Sequence, residues 1–154
     1  ISLSNGRVHD FRMLVQKNGS GMWQVTGCAG RIGAARSVTS NLHGGGKAVE
    51  MEKLLRERFY EDKKIAAIRE TSQILAMDIV EQLEQKYGRL CELALDLAID
   101  RDGGVWLLEI NPKPGRNIFL QIQDYPAYRS AVTCPLEYAK WLHKELHKST
   151  SEIM

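Results

Sequence analysis

Leu93-Ala94-Leu95-Asp96-Leu97-Ala98-Ile99-Asp100-Arg101-Asp102-Gly103-Gly104-Val105-Trp106-Leu107-Leu108-Glu109-Ile110-Asn111 carries the most regular pattern in the chain. Leu93, Leu95, Leu97 and Ile99 alternate with Ala94, Asp96, Ala98 and Asp100, the period of two that marks a half-buried strand. Asp102-Gly103 then supplies a hairpin turn, because glycine takes up positive φ without steric cost. The alternation resumes with Trp106, Leu108 and Ile110 on one face and Leu107, Glu109 and Asn111 on the other. With a two-residue turn, Ile99 faces Trp106, Leu97 faces Leu108 and Leu95 faces Ile110, an apolar set expected to be a core face. On the reverse side Ala98 meets Leu107, Asp96 meets Glu109 and Ala94 meets Asn111. A one-step slip of the turn changes the partners but leaves Asp96, Glu109 and Asn111 on this reverse side.

Directly opposed residues in an antiparallel pair have Cβ atoms about 4.5–5.5 Å apart, and two like charges so placed destabilise the sheet. Asp96 and Glu109 therefore need a compensating charge. A hard divalent cation that takes oxygen ligands, Mg²⁺ or Mn²⁺, would supply it, and Asn111 adds a neutral oxygen on the same face. The plainer alternative is an acidic pair pointing into solvent on the wet side of the sheet. Two features weigh against it: the small side chains of Ala94 and Ala98 leave space beside Asp96, and Glu109-Ile110-Asn111-Pro112-Lys113-Pro114-Gly115 is no ordinary strand end.

Outward from this hairpin, Val8 to Lys17 reads as a strand with Phe11, Met13 and Val15 alternating. Asn18-Gly19-Ser20-Gly21 is a turn, and Met22 to Arg31 returns as a second strand. The Gly-, Ser- and Ala-rich stretch from Ile32 to Lys47 reads as a loop. A short helix follows around Val49 to Phe59. A longer one, Asp62 to Lys86, has apolar residues at Ile65, Ile68, Leu75, Ile79 and Leu83, with Gly88 as its stop. After the carboxylate hairpin, Pro112 to Asn117 is a loop, Ile118 to Pro126 is irregular, and a closing helix is expected from about Leu136 to Leu146. This order predicts an α+β fold, an antiparallel β-sheet covered by helices, in a single domain with its core between about residues 8 and 145.

The bulk numbers agree with that class. The 154 residues are 44% hydrophobic and 26% charged, ordinary for a globular domain. A net charge of +2 is far from the basic stripe of a nucleic-acid binder, so no nucleic-acid partner is expected. No apolar run approaches the roughly 20 residues that span a bilayer, and no signal peptide opens the chain, so no membrane association is expected. Cys28, Cys91 and Cys134 are odd in number and lack metal-ligand spacing, which suggests reduced thiols in a cytoplasmic protein. Ile1 to His9 has no initiator methionine and runs straight into a strand, as though the chain opens in the middle of something larger.

Leu107-Leu108-Glu109-Ile110-Asn111-Pro112-Lys113-Pro114-Gly115 resembles the E-x-N-x-x-P-G signature of the ATP-grasp superfamily, and Asp96 falls where that superfamily has its other metal carboxylate. Asp10-Phe11-Arg12 is similar to its D-[IF]-R strand start. Ser40-Asn41-Leu42-His43-Gly44-Gly45-Gly46 is similar to the S-N-x-x-x-G-G loop of a glutamate-ligating branch, although Thr39 replaces the basic residue that precedes Ser-Asn there. As a whole the pattern most resembles the bacterial endospore coat-associated YheC/YheD group, over about residues 8–145. The resemblance implies that Asp96, Glu109 and Asn111 hold one or two Mg²⁺ ions bridging the phosphates of ATP. It implies that Arg31 stands beside the transferred phosphoryl group as a catalytic residue. Arg12, Ser40, Asn41 and Glu109 join Arg31 in its implied nucleotide site.

The implied chemistry is phosphorylation of a carboxylate to an acyl phosphate, which an amine then attacks. Such a reaction asks for positioning and charge neutralisation rather than a covalent nucleophile. The resemblance covers the C-terminal lobe of an ATP-grasp unit. The N-terminal lobe, with its phosphate lysine and glycine-rich flap, is expected to be absent, and the chain alone is not expected to turn over ATP. An unknown carboxylate and amine, the other lobe, spore-coat proteins or a second copy are the partners this implies. The alternative function is a non-catalytic, spore-coat-associated nucleotide-binding or scaffold protein. A metal-dependent phosphohydrolase would need more acidic or histidine ligands than the sequence supplies.

The remaining candidates have bland readings. His43 and the Gly44–Gly46 run lie in the loop, where solvated histidine and flexible glycines are common. Arg56 to Lys64 reads as a solvated helix junction, and Lys113 and Arg116 as phosphate-attracting or solubilising flanks of the proline loop. His143 and His147 share a helix face with no third ligand nearby, and are expected to be surface residues.

Overall fold

The computed structural model describes residues 7–34 and 45–151; Ser40, Asn41, His43 and Gly44 lie outside the described residues. The elements are β1 (His9–Lys17), β2 (Trp23–Ile32), β3 (Lys47–Glu50), α1 (Met51–Arg56), α2 (Asp62–Tyr87), β4 (Glu92–Ile99), β5 (Val105–Asn111), α3 (Asn117–Gln121) and α4 (Tyr125–Ser151). All neighbouring strands run antiparallel in one five-stranded sheet, ordered β3-β2-β1-β4-β5. The α+β expectation holds.

One face of the sheet presents Phe11, Met13, Val15, Leu93, Leu95, Leu97 and Ile99 to Leu54, Leu55, Ile65, Ile68, Ala76 and Val80 of α1 and α2. The other face is split. Leu14 and Ala29 pack under Ile118, Phe119, Ala127 and Ala131 of α3 and α4. Beyond them the same face carries Asp10, Arg12, Arg31, Asp96 and Glu109, because residues two apart on a strand share a side. The alternation in the central strands thus builds a core on one side and a polar shelf on the other.

Several boundaries differ from the sequence reading. Lys47–Glu50 is an edge strand paired with Ala29–Ile32, where a loop running into a helix was expected. Residues 117–121 form a helical turn, and the closing helix starts at Tyr125, well before Leu136. Asp124 caps it, its Oδ1 accepting the N–H of Ala127. Pro135 lies inside that helix, and proline there normally leaves the carbonyl four residues back without its partner. Ala131 is that residue, and its carbonyl instead accepts Nε2 of Gln16 at 3.0 Å and Nε of Arg116 at 2.7 Å. The helix continues because the sheet and the proline loop use the acceptor that Pro135 releases.

The β4–β5 connection corrects two expectations at once. Asp100 N–H donates to the Gly104 carbonyl, leaving Arg101, Asp102 and Gly103 as a three-residue loop. Gly103 closes it at φ +91°, the left-handed position such loops require. One extra loop residue flips side chains to the opposite face. Ala98 accordingly pairs with Trp106 and Leu97 with Leu107; Trp106 and Leu108 do not line the core and are 61% and 57% exposed. A β-bulge between these pairs and Asp96 then absorbs one residue and restores the expected register: Asp96 opposite Glu109, Leu95 opposite Ile110, Ala94 opposite Asn111.

At the start of β1 the His9 ring is buried against Phe11, with Nε2 3.1 Å from Nη1 of Arg58. Burial, then the Arg58 charge, lowers the His9 pKa to about 4. The folded state therefore favours neutral imidazole, whose stabilisation is whole above pH 6.5 and is lost as the pH falls toward 4. Urea melts at a series of pH values should show up to about 3 kcal/mol lost across that window. A His9→Leu variant should lack that slope; an unchanged slope would show that other groups set it.

Candidate functional site

The polar shelf is assembled by strand pairing. Arg12 sits opposite Asp96 on β4, Asp10 opposite Arg31 on β2, and Asp96 opposite Glu109 on β5. Arg12 donates to Asp96 through Nε and Nη2, both at 2.8 Å. Arg31 donates to Asp10 through Nε at 2.7 Å and Nη2 at 2.5 Å, and its Nη2 also reaches Asp96 Oδ2 at 2.7 Å. Asp10, Arg31 and Asp96 are all buried. The two arginines offset the charge of Asp96, which the sequence reading had left to a cation alone. Burial pushes the Asp96 carboxyl up, but the Arg12 hydrogen bond and the Arg31 charge outweigh it and hold the group below the usual carboxylate range. Burial works against the Arg31 charge, and its bonds to Asp10 and then Asp96 more than offset that.

The donor inventory shows what remains open. Asp96 Oδ2 accepts two hydrogen bonds and Oδ1 accepts one, so Oδ1 keeps a lone pair. Both guanidiniums are held by their Nε and Nη2 atoms, and among the described residues the Nη1 groups of Arg12 and Arg31 have no partner. Glu109 is exposed and without a hydrogen-bond or ion-pair partner among the described residues. Asn111 Oδ1 accepts the Lys113 N–H at 2.9 Å, which folds the chain into the proline loop and leaves one lone pair.

Arg116 is an anchor rather than a free phosphate contact. Its Nη2 bonds both oxygens of Glu92 at 2.7 and 2.8 Å while Nε holds the Ala131 carbonyl. Buried Gln16 ties the same Glu92, the same carbonyl and Thr26 together. The far end of the loop that follows Asn111 is thereby fixed to β4 and α4. His143 and His147 are exposed on α4, in edge-to-face contact at 4.2 Å between ring centroids. The three cysteines are free thiols, and burial pushes Cys28 up to about 12.

Asp96 Oδ1, the Glu109 carboxylate and Asn111 Oδ1 are hard oxygen donors on one face, and they suit Mg²⁺ or Mn²⁺. Among the described residues no group of three or more His, Cys, Asp or Glu side chains could hold a metal ion. A cation here would therefore rest on this mixed set and on oxygens brought by a ligand, the usual habit of Mg²⁺ with phosphates. The sequence pointed to Asp96, Glu109, Asn111, Arg12 and Arg31; strand pairing brings them onto one shelf. It missed the role of Asp10, whose signal was its place two residues before Arg12 on the same strand.

The model of the YheC/D-like ATP-grasp family matches residues 1–142. The endospore coat-associated protein YheC of Bacillus subtilis (strain 168) is 31% identical over 140 residues, which cover 88% of this chain and 37% of that protein. YheD of the same organism, also an endospore coat-associated protein, is 31% identical over 143 residues, covering 91% of this chain and 30% of its own. The chain thus spans about a third of the length of these curated relatives. No solved structure matches it. No helix among the described residues is long and apolar enough to cross a membrane. With its sheet, its signature loop and its polar shelf accounted for, the chain belongs to the YheC/D-like ATP-grasp family.

Proposed function

We propose that this chain is the Mg²⁺- and phosphate-binding C-terminal lobe of an ATP-dependent carboxylate–amine ligase that works through an acyl phosphate. The observation that carries the reading is the Glu109 carboxylate facing Asp96, with the Nη1 groups of Arg12 and Arg31 on the same shelf, all without partners among the described residues. ATP-grasp membership supports ATP and Mg²⁺ as the cofactors. Asp96, Glu109 and Asn111 are the residues that would hold the cation, which when bound neutralises phosphate charge and polarises the transferred group.

The side chains divide the remaining work. Arg31 and Arg12 direct Nη1 donors at phosphate oxygens while Asp10 and Asp96 keep the guanidiniums from swinging away. The buried ion pairs fix these donors before substrate arrives, so little reorganisation accompanies phosphoryl transfer. Asn111 holds the mouth of the proline loop, where we place the carboxylate substrate and the attacking amine. Turnover is assigned to this lobe acting together with a second one that covers the nucleotide from the other side.

The test is a titration of ATP and of inorganic tripolyphosphate into the chain, with and without Mg²⁺. Mg²⁺-dependent binding of both is expected, and binding of neither would sink the proposal. A protein with both lobes should release ADP when given the right acid and amine. The names of the two relatives favour one second reading, a spore-coat-associated scaffold that binds nucleotide without chemistry. Binding without ADP release over a broad substrate screen would select it.

A further inference from the structure

Trp106 has no part in the phosphate chemistry, yet the fold goes to some length to display it. The three-residue loop and the bulge together move it from the core side of β5, where simple alternation would put it, to the shelf side opposite Ala98. Bulges next to functional sites commonly re-aim a side chain in this way. Ala98 is too small to cover an indole, and Trp106 stays 61% exposed. It is also held in place. Its Nε1 donates to Asp100 Oδ2 at 2.8 Å, and Asp100 Oδ1 is itself fixed by the N–H groups of Asp102 at 2.9 Å and Gly104 at 2.8 Å. A Cβ at position 104 would come within 2.5 Å of Asp100 Oδ2, so glycine there is part of the same lock.

Along β4, Ala98 is two residues from Asp96, a step of about 6.6 Å. Position 106 therefore stands one such step from the Asp96–Glu109 pair on the same face, with its indole tied toward Asp100 on the far side. A large aromatic exposed at low rotational freedom beside an anion and metal shelf is the arrangement that stacks a flat ring while the phosphates are held elsewhere. We propose that Trp106 is the platform on which the nucleobase stacks when Glu109, Asp96 and the two arginines hold the polyphosphate. This deepens the proposed function and rests on it. Trp106 is on this view an affinity and specificity residue, selecting nucleotides over bare polyphosphates.

The two ligands of the phosphate test separate the claims. In ¹⁵N–¹H spectra the Trp106 indole signal, assigned by its loss in Trp106→Phe, should move with ATP·Mg²⁺ and stay put with tripolyphosphate·Mg²⁺. Trp106→Ala should weaken ATP·Mg²⁺ about tenfold, the size of one base–aromatic stack. It should leave tripolyphosphate·Mg²⁺ unchanged, and Trp106→Phe should keep most of the ATP affinity. Equal losses for both ligands would make Trp106 a structural residue and overturn the platform. So would wild-type chain that binds ATP no better than tripolyphosphate, an outcome that spares the phosphate reading. Binding of neither removes both.

Discussion

Asp96→Ala is expected to lower the stability of the fold by about 3–5 kcal/mol, the cost of removing one partner from a buried charge network. Three donor–acceptor contacts at 2.7–2.8 Å disappear with its carboxylate. Arg31 keeps Asp10, but Arg12 loses the acid that both of its bonding nitrogens use. A half-buried guanidinium is then left facing the middle of the sheet, and neither Ala98 nor Ala94 can hydrogen-bond to it through a side chain. Urea unfolding at neutral pH would measure the loss. A change under about 1 kcal/mol would mean that water reaches Arg12 and that the network is weaker than its burial implies.

The same substitution has a signature in acid. The carboxyl of folded Asp96 lies below the usual carboxylate range. Its stabilisation is thus complete above the ordinary value of about 3.9 and is lost as the pH falls through the depressed folded one. Asp96→Ala should flatten the stability curve only in that acid limb. The His9 slope lies between pH 6.5 and about 4 and should survive. Two groups on neighbouring strands can therefore be read from separate pH windows.

What was legible in the sequence was what local alternation and turn chemistry control. Asp96 and Glu109 do face each other, but for a reason the pattern hides: the loop is one residue longer than a two-residue turn, and the bulge removes the offset. Between loop and bulge the offset remains, which puts Trp106 on the shelf side, and Leu108 is the extra residue of the bulge itself. Arg12 and Arg31 were recognisable as basic residues on strands. Their bonds to Asp96 were not, because β1 and β4 are separated by the whole of β2, β3, α1 and α2, and no local signal gives that register. Pro135 concealed the true start of the last helix, since its compensation comes from Gln16 and Arg116, distant in sequence. Non-local hydrogen bonds decided each of these points.

Glu109→Gln is the second large effect, and it separates from the first. Glu109 is exposed, has no hydrogen-bond or ion-pair partner among the described residues, and stands opposite an acid. Its replacement should change stability by no more than about 0.5 kcal/mol. Any change should be upward, since a like charge leaves the cross-strand pair. Binding of ATP with Mg²⁺ should nonetheless fall steeply, and ADP release by the two-lobe protein should drop at least about a hundredfold, because an amide oxygen is a poor substitute for an anionic ligand to a hard cation. Asp96 is the wrong residue for this experiment, because its loss damages the sheet whether or not a metal binds there. Glu109 carries no such structural load. If Glu109→Gln bound Mg²⁺ and ATP as tightly as the wild type, the opposed carboxylates would be a solvated pair held in check by Arg12 and Arg31, and the cation would have to find its oxygens elsewhere.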